Sequence, residues 1–141
     1  MKPHKSVYWL NSHDPDFDEK AREICQLVDL WEKRNEIASN LSYGDQKILE
    51  IAMALSTQPI VLLLDEPTQG VSPEETDNII DVIGKLSKFM AIILIEHSMD
   101  VVLRLCHKIT VLAEGRLIAE GSPEEISQNQ EVQRIYLGEA S

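Results

Sequence analysis

Ile60-Val61-Leu62-Leu63-Leu64 runs straight into Asp65-Glu66-Pro67. A short, continuous apolar run reads as a strand buried on both faces, the pattern of a parallel sheet covered by helices. Pro59 stops the helical text before it, because proline removes a donor and clashes with the preceding turn. Downstream, Ser72-Pro73-Glu74-Glu75 supplies a cap, a first-turn proline and an acid at the third position, which together start a helix. Ile79, Ile80, Val82, Ile83 and Leu86 form its apolar face as far as about Lys88. Ala91-Ile92-Ile93-Leu94-Ile95 reads as a second buried strand. A short helix is expected over residues 99–105. A hairpin follows, in which residues 109–112 and 116–119 flank Glu114-Gly115. Ser122-Pro123-Glu124-Glu125 repeats the helix-start device before a polar helix ending near Ile135. This order predicts an α/β domain over residues 59–141, with a mainly parallel sheet and flanking helices.

Upstream the text differs. Residues 1–16 carry Pro, Asn, His and Asp and read as irregular. Phe17, Ala21, Ile24, Cys25, Val28 and Leu30 then recur at helical spacing, opposite Asp18, Glu19 and Lys20, which predicts a helix ending near Leu30. A polar stretch over residues 31–40 separates it from a second helix opened by Leu41-Ser42-Tyr43-Gly44-Asp45-Gln46. Ile48, Leu49, Ile51, Ala52, Ala54 and Leu55 supply the apolar face of that helix. Ser42 suits the cap position, and Asp45 three residues on comes close to a capping box. No strand separates these helices, so residues 1–58 are expected to form a helical lobe of their own.

The totals narrow the function classes. A net charge of −11 over 141 residues argues against a nucleic-acid surface, which needs clustered Lys and Arg, and against adsorption to anionic lipid. Aromatic residues are 5%, so the core must be aliphatic. Cys25 and Cys106 lie too far apart for zinc or redox spacing, and each reads as a buried reduced thiol, which suits the cytosol. The longest apolar runs, 60–64 and 89–95, fall far short of the roughly 20 residues that span a bilayer. The first residues have no apolar signal-peptide core. A soluble protein without direct membrane insertion is expected.

Three groups of residues carry chemistry. In parallel α/β sheets ligands bind at the carboxyl ends of strands, where Asp65 and Glu66 stand. One acid there suits Mg²⁺, which wants oxygen ligands and keeps several waters, and its neighbour can polarise a water. An isolated acid pair can equally cap the next turn. His97 follows the second apolar run and could hydrogen-bond a γ-phosphate or hold an attacking water, or simply be a satisfied polar residue at a strand end. Ser42 and Gly44 open a helix, where backbone amides suit an anion, although an ordinary cap has the same sequence. His107 begins a strand in an apolar setting and reads as structural, while His4 and His13 offer no geometry.

Taken in order, LSYGDQKILEIAMAL, VLLLDEPT and IEH resemble the ATP-binding-cassette (ABC) ATPases, over a span from about residue 17 to the end. Leu41, Ser42, Tyr43, Gly44, Asp45 and Gln46 match the family's signature motif, with Tyr43 where many members have Gly. Residues 60–65 match Walker B. Glu66 matches the catalytic glutamate, His97 the switch histidine, and Gln69, Gly70, Val71 and Ser72 the D-loop, with Ser72 at a place often held by Asp. EPTQGVSPEET, IEHSMDVV, VLAEGRLIAEGSPEEI and the closing RIYLGEA are similar to the ATPase subunits of branched-chain amino-acid importers and of the related urea importers.

The resemblance implies a P-loop NTPase fold, ATP and Mg²⁺ as cofactors, and Asp65 as a Mg²⁺ ligand through water. It implies a second ABC ATPase subunit as homo- or heterodimer partner, with the signature motif serving the partner's nucleotide in trans. It also implies membrane permease subunits, which would hold the protein at the inner face of the plasma membrane from the cytoplasm. Yet no G-x-x-x-x-G-K-[ST] occurs: Gly44, Gly70, Gly84, Gly115, Gly121 and Gly138 open no such loop. Tyr8 and Trp9 are the aromatics near the start, and nothing ties them to a nucleotide base.

The expectation is therefore the carboxy-terminal half of an importer ATPase, a partial fold without the Walker A strand and loop. Nucleotide binding by these residues alone should be weak or absent, and hydrolysis absent. The alternatives are a non-catalytic or regulatory partner lending its signature motif in trans, or an inert fragment. The resemblance also implies that the strand leading into the phosphate loop lies between the Walker B strand and the strand before the switch histidine. Residues 60–64 and 91–95 must then pair directly or leave a gap. Unpaired strand edges invite association, so a dimer, a swapped assembly or a weakly stable monomer is expected.

Overall fold

The computed structural model describes residues 15–137. The irregular reading of residues 1–14, the aromatics Tyr8 and Trp9, and the tail from Gly138 lie outside the described residues, while residues 15 and 16, also expected to be irregular, open the first helix. The chain divides into two compact units, Met1–Pro59 and Ile60–Ser141.

The first unit holds α1 (Pro15–Leu27), two short 3-10 turns (Trp31–Lys33 and Ala38–Asn40) and α2 (Tyr43–Leu55). Helix α1 stops before the expected Leu30, and the reason is local. Asp29 takes a left-handed φ of 61°. The Leu30 amide then donates to the Cys25 carbonyl at 2.8 Å and the Asp29 amide to the Gln26 carbonyl at 3.3 Å, the two bonds of a Schellman stop. Trp31 is covered by two guanidinium groups, Arg34 at 4.6 Å and Arg22 at 5.2 Å from its ring centre. An ion pair between Lys33 and Asp45 ties the first 3-10 turn to the opening of α2.

The second unit holds β1 (Val61–Asp65), α3 (Pro73–Leu86), β2 (Ala91–Ile95), α4 (Met99–Leu105), β3 (Ile109–Ala113), β4 (Arg116–Gly121), α5 (Pro123–Gln128) and α6 (Gln130–Leu137). Strands β1 and β2 pair directly and in parallel, from Val61 opposite Ala91 to Asp65 opposite Ile95, so no gap separates them. Strands β3 and β4 form an antiparallel hairpin with a bulge between Val111 and Leu112. Ser72 and Ser122 each make a full capping box with the glutamate three residues on. Helix α3 buries Ile79, Ile80, Val82, Ile83 and Leu86, and ends at Leu86 where Ser87 caps it. A second cluster joins Ile109, Val111, Ile126 and Val132. No aromatic residue is buried among the described residues, as the composition requires.

Three expectations change. Strands β1 and β2 are not buried on both faces. Leu62 and Leu64 point inward, while Val61 is 46%, Leu63 62% and Ile93 55% exposed. The sheet has two strands, and the residues described cover one side of it. Cys25 and Cys106 are free and half-buried rather than enclosed. His107 is exposed in a bend ahead of β3, so it does not pack as a structural residue. A groove of about 620 Å³ is lined by β2 residues such as Ile93 and Ile95 and by β3 residues such as Thr110 and Leu112. No helix among the described residues is long and apolar enough to cross a membrane.

Candidate functional site

The site grows from the direct pairing of β1 with β2. Parallel strands in register end together, so the residues after Asp65 and after Ile95 leave the sheet at the same end. The pairing runs one step past the strand: the Glu66 amide donates to the Ile95 carbonyl at 2.8 Å. Glu66 itself takes a left-handed φ of 46°, a conformation that costs a non-glycine residue roughly 1–2 kcal/mol. The Gln69 amide donates to the Glu66 carbonyl at 3.1 Å and closes the turn behind it. Backbone strain of this kind persists where the surroundings over-determine it, often at a working site.

The result is a contact between the two residues singled out at the strand ends. His97 Nδ1 lies 3.3 Å from Glu66 Oε1. Their side chains are 65% and 36% exposed. A pair so open to water is worth about 0–1 kcal/mol at most, too little to repay the strained backbone at Glu66. Both groups are open to whatever approaches from solvent. Asp65 stands exposed at the last position of β1. No cluster of three His, Cys, Asp or Glu side chains suited to a metal exists among the described residues. A single open carboxylate does fit Mg²⁺, which takes one or two carboxylates and completes its shell with waters and phosphate oxygens.

One contact here was not foreseen. Glu96 Oε1 accepts from the Thr68 amide at 3.0 Å and from the Thr68 hydroxyl at 2.6 Å. Glu96 adjoins His97 and Thr68 follows Glu66 by two, but only the strand register shows that these positions meet. Just beyond, Gln69 and Gly70 are exposed, and Gly70 holds a φ of 79° that suits glycine. Val71 is half-buried, and Ser72 is committed to capping α3: its Oγ accepts from the Glu75 amide at 3.3 Å.

Residues 41–46 lie in the first unit and are described within it. Ser42 Oγ accepts from the Asp45 amide at 3.2 Å, so the hydroxyl works as a helix cap. Gln46 donates its side-chain amide to the Leu41 carbonyl at 3.0 Å. Gly44 is buried, Leu41 half-buried, and Tyr43 exposed with the Lys47 ammonium 5.6 Å from its ring centre. The structure brings Glu66 and His97 together, and the turn from Glu66 closes at Gln69 and leads through Gly70 and Val71 to the cap at Ser72.

Comparison with known proteins places the chain among relatives. The family model for the ABC transporter matches residues 1–69, and that for the branched-chain amino acid ATP-binding cassette transporter matches residues 116–141. The chain is 44% identical, over 86% of its length and 49% of the relative, to the high-affinity branched-chain amino acid transport ATP-binding protein LivG of Salmonella typhimurium. It is 41% identical, over the same shares, to BraF of Pseudomonas aeruginosa, which carries the same description. It thus spans about half the length of the curated relatives it matches. Among solved structures, an ATP-binding cassette of an ABC transporter in its ADP conformation superposes with a TM-score of 0.81 and 31% identity, over 94% of this chain and 54% of that one. A nucleotide-free cassette superposes with a TM-score of 0.80 and 30% identity, over the same shares. By sequence at both ends and by the fold of its described residues, the chain belongs to the ATP-binding-cassette family, with a partial P-loop NTPase fold and a resemblance to the branched-chain amino-acid importers within it.

Proposed function

We propose that the chain supplies the Walker B and switch side of an ATP-hydrolysing site in an ABC importer for branched-chain amino acids. The observation that carries this reading is the Glu66–His97 contact at the shared carboxyl end of β1 and β2. In it, Glu66 is the general base: its carboxylate takes a proton from the water that attacks the γ-phosphate of ATP. His97 orients that carboxylate through Nδ1–H and, when doubly protonated, turns Nε2–H toward a phosphate oxygen. Asp65 would hold Mg²⁺ together with waters and the nucleotide's phosphates, where the ion would neutralise developing charge. Residues 1–58 act as the helical lobe and residues 59–141 as part of the catalytic core.

Leu41, Ser42, Tyr43, Gly44, Asp45 and Gln46 present the signature motif to a nucleotide held by a second cassette, and Gln69, Gly70, Val71 and Ser72 form the loop that meets that cassette. The loop that cradles the phosphates comes from protein outside these 141 residues. Permease subunits then place the assembly at the cytoplasmic face of the membrane. The descriptions of LivG and BraF support the choice of solute.

The test supplies the missing cradle. The chain is mixed with the amino-terminal half of a related cassette that carries G-x-x-x-x-G-K-[ST], and ATP hydrolysis is followed with and without Mg²⁺. Mg²⁺-dependent turnover is expected, with kcat about 100-fold lower or worse in Glu66→Gln and KM little changed, as for loss of a general base. Turnover indifferent to Glu66→Gln would overturn the assignment.

A further inference from the structure

We infer that Glu96 is a positioning residue: gripping Thr68, it clamps the turn that carries Glu66 against the end of the strand that carries His97. The inference rests on the reading above for what the pair does, but its geometry stands apart from that reading. Two loops leave the sheet side by side and are tied twice. One tie is the open Glu66–His97 contact at 3.3 Å. The other is the Glu96 carboxylate, which holds both the amide and the hydroxyl of Thr68 through one oxygen, at 3.0 and 2.6 Å. Thr68 lies two residues past Glu66 and Glu96 one before His97, so the second tie sits just inside the first along the chain.

The two ties differ in kind. The Glu66–His97 contact is long and solvent-exposed, and too weak to hold its own geometry. Hydrogen bonds to an ionised carboxylate are shorter and about twice as strong as neutral ones, and the Thr68–Glu96 pair is half-buried. The other Glu96 oxygen, Oε2, is buried with no hydrogen-bond partner. An orphaned carboxylate oxygen is costly, so local stability alone is a poor reason for a glutamate here. Fixing the turn is a better one, because Glu66 sits in a left-handed conformation that would relax if Thr68 were free to move.

The test is NMR on the ¹⁵N-labelled chain, with three variants. Thr68→Val keeps the amide bond and the shape but removes the hydroxyl. Glu96→Ala removes the clamp. Thr68→Ser restores the hydroxyl. Two signals are read: the His97 ring resonances, and hydrogen exchange at the Glu66 amide, whose acceptor is the Ile95 carbonyl. Glu96→Ala and Thr68→Val are both expected to shift the His97 ring signals and to speed Glu66 exchange, by about 10-fold in Thr68→Val, the scale of one lost charge-assisted bond, and by more in Glu96→Ala, which loses two. Amides of the β3–β4 hairpin should not change, and Thr68→Ser should return both signals to their starting values.

Unchanged His97 and Glu66 signals in folded Thr68→Val would overturn the inference. So would equal acceleration throughout the hairpin, which would mark general destabilisation. If Glu96→Ala does not fold, Thr68→Val and its serine rescue decide alone. No nucleotide enters these measurements, so a clamp that registers here while complemented ATP hydrolysis is missing would sink the proposed activity and leave the clamp standing.

Discussion

Glu66 concentrates the account at the scale of one residue. Its side chain reaches His97 while its backbone holds a conformation disfavoured for any residue with a Cβ. Two truncations separate these properties, since Glu66→Ala and Glu66→Gly both remove the carboxylate and only glycine relieves the backbone. Urea titration should find Glu66→Gly more stable than Glu66→Ala by about 1 kcal/mol. Equal stability would mean that the turn is unstrained. Glu66 and His97 could be picked out from sequence because they stand one and two residues past an apolar strand, so their place at the strand ends is a local fact. The left-handed φ and the Thr68–Glu96 pair could not be read that way. Both depend on the pairing of β1 with β2, which sets Val61 opposite Ala91 and so brings Thr68 to Glu96, 28 positions on.

At the scale of elements, helix starts were legible and one helix stop was not. Ser42, Ser72 and Ser122 cap the helices that their sequences announce, because a cap and its target amide lie within one turn. Ser72→Ala removes the cap of α3 and half of its box, and should lower unfolding stability by about 1 kcal/mol in a denaturant titration. The stop of α1 escaped because Asp29, rather than glycine, takes the left-handed position.

The β3–β4 hairpin adds a pH dependence. Lys108 Nζ, 2.7 Å away, and then the Thr110 hydroxyl, at 3.1 Å, hold the Glu120 carboxyl below the usual glutamate range. A carboxyl whose folded value is depressed stabilises the fold above its unfolded value, and that contribution disappears as pH falls through the folded value. The hairpin amides should therefore exchange faster, relative to their intrinsic rates, as pH drops from about 6 to about 3. Lys108→Ala should flatten that dependence. The same slope in Lys108→Ala would assign it to another group.

At the scale of the molecule, the open side of the β1–β2 sheet dominates. The apolar text of both strands suits cover on two sides, yet Val61, Leu63, Ile93 and Ile95 remain exposed among the described residues. From sequence, cover is expected on both faces, and the described residues supply it on one, because cover is no property of the strands themselves. Their free edges and the groove beside β2 and β3 mark where further protein can pair or pack. Light scattering of the isolated chain should show association beyond the monomer, reduced in Leu63→Lys. A monodisperse monomer that melts cooperatively would contradict that expectation.

The central claim is that these residues form one side of a nucleotide site and need a phosphate cradle from elsewhere. Titration with a fluorescent ATP analogue in Mg²⁺ tests it most directly, first with the chain alone and then with the cradle-bearing half of a related cassette. The account predicts binding no tighter than about 1 mM for the chain alone, where little beyond one open carboxylate meets the phosphates, and binding at least about 10-fold tighter than either half once the two are mixed. Micromolar binding by the chain alone, or a mixture that binds no better than the added half by itself, would contradict it.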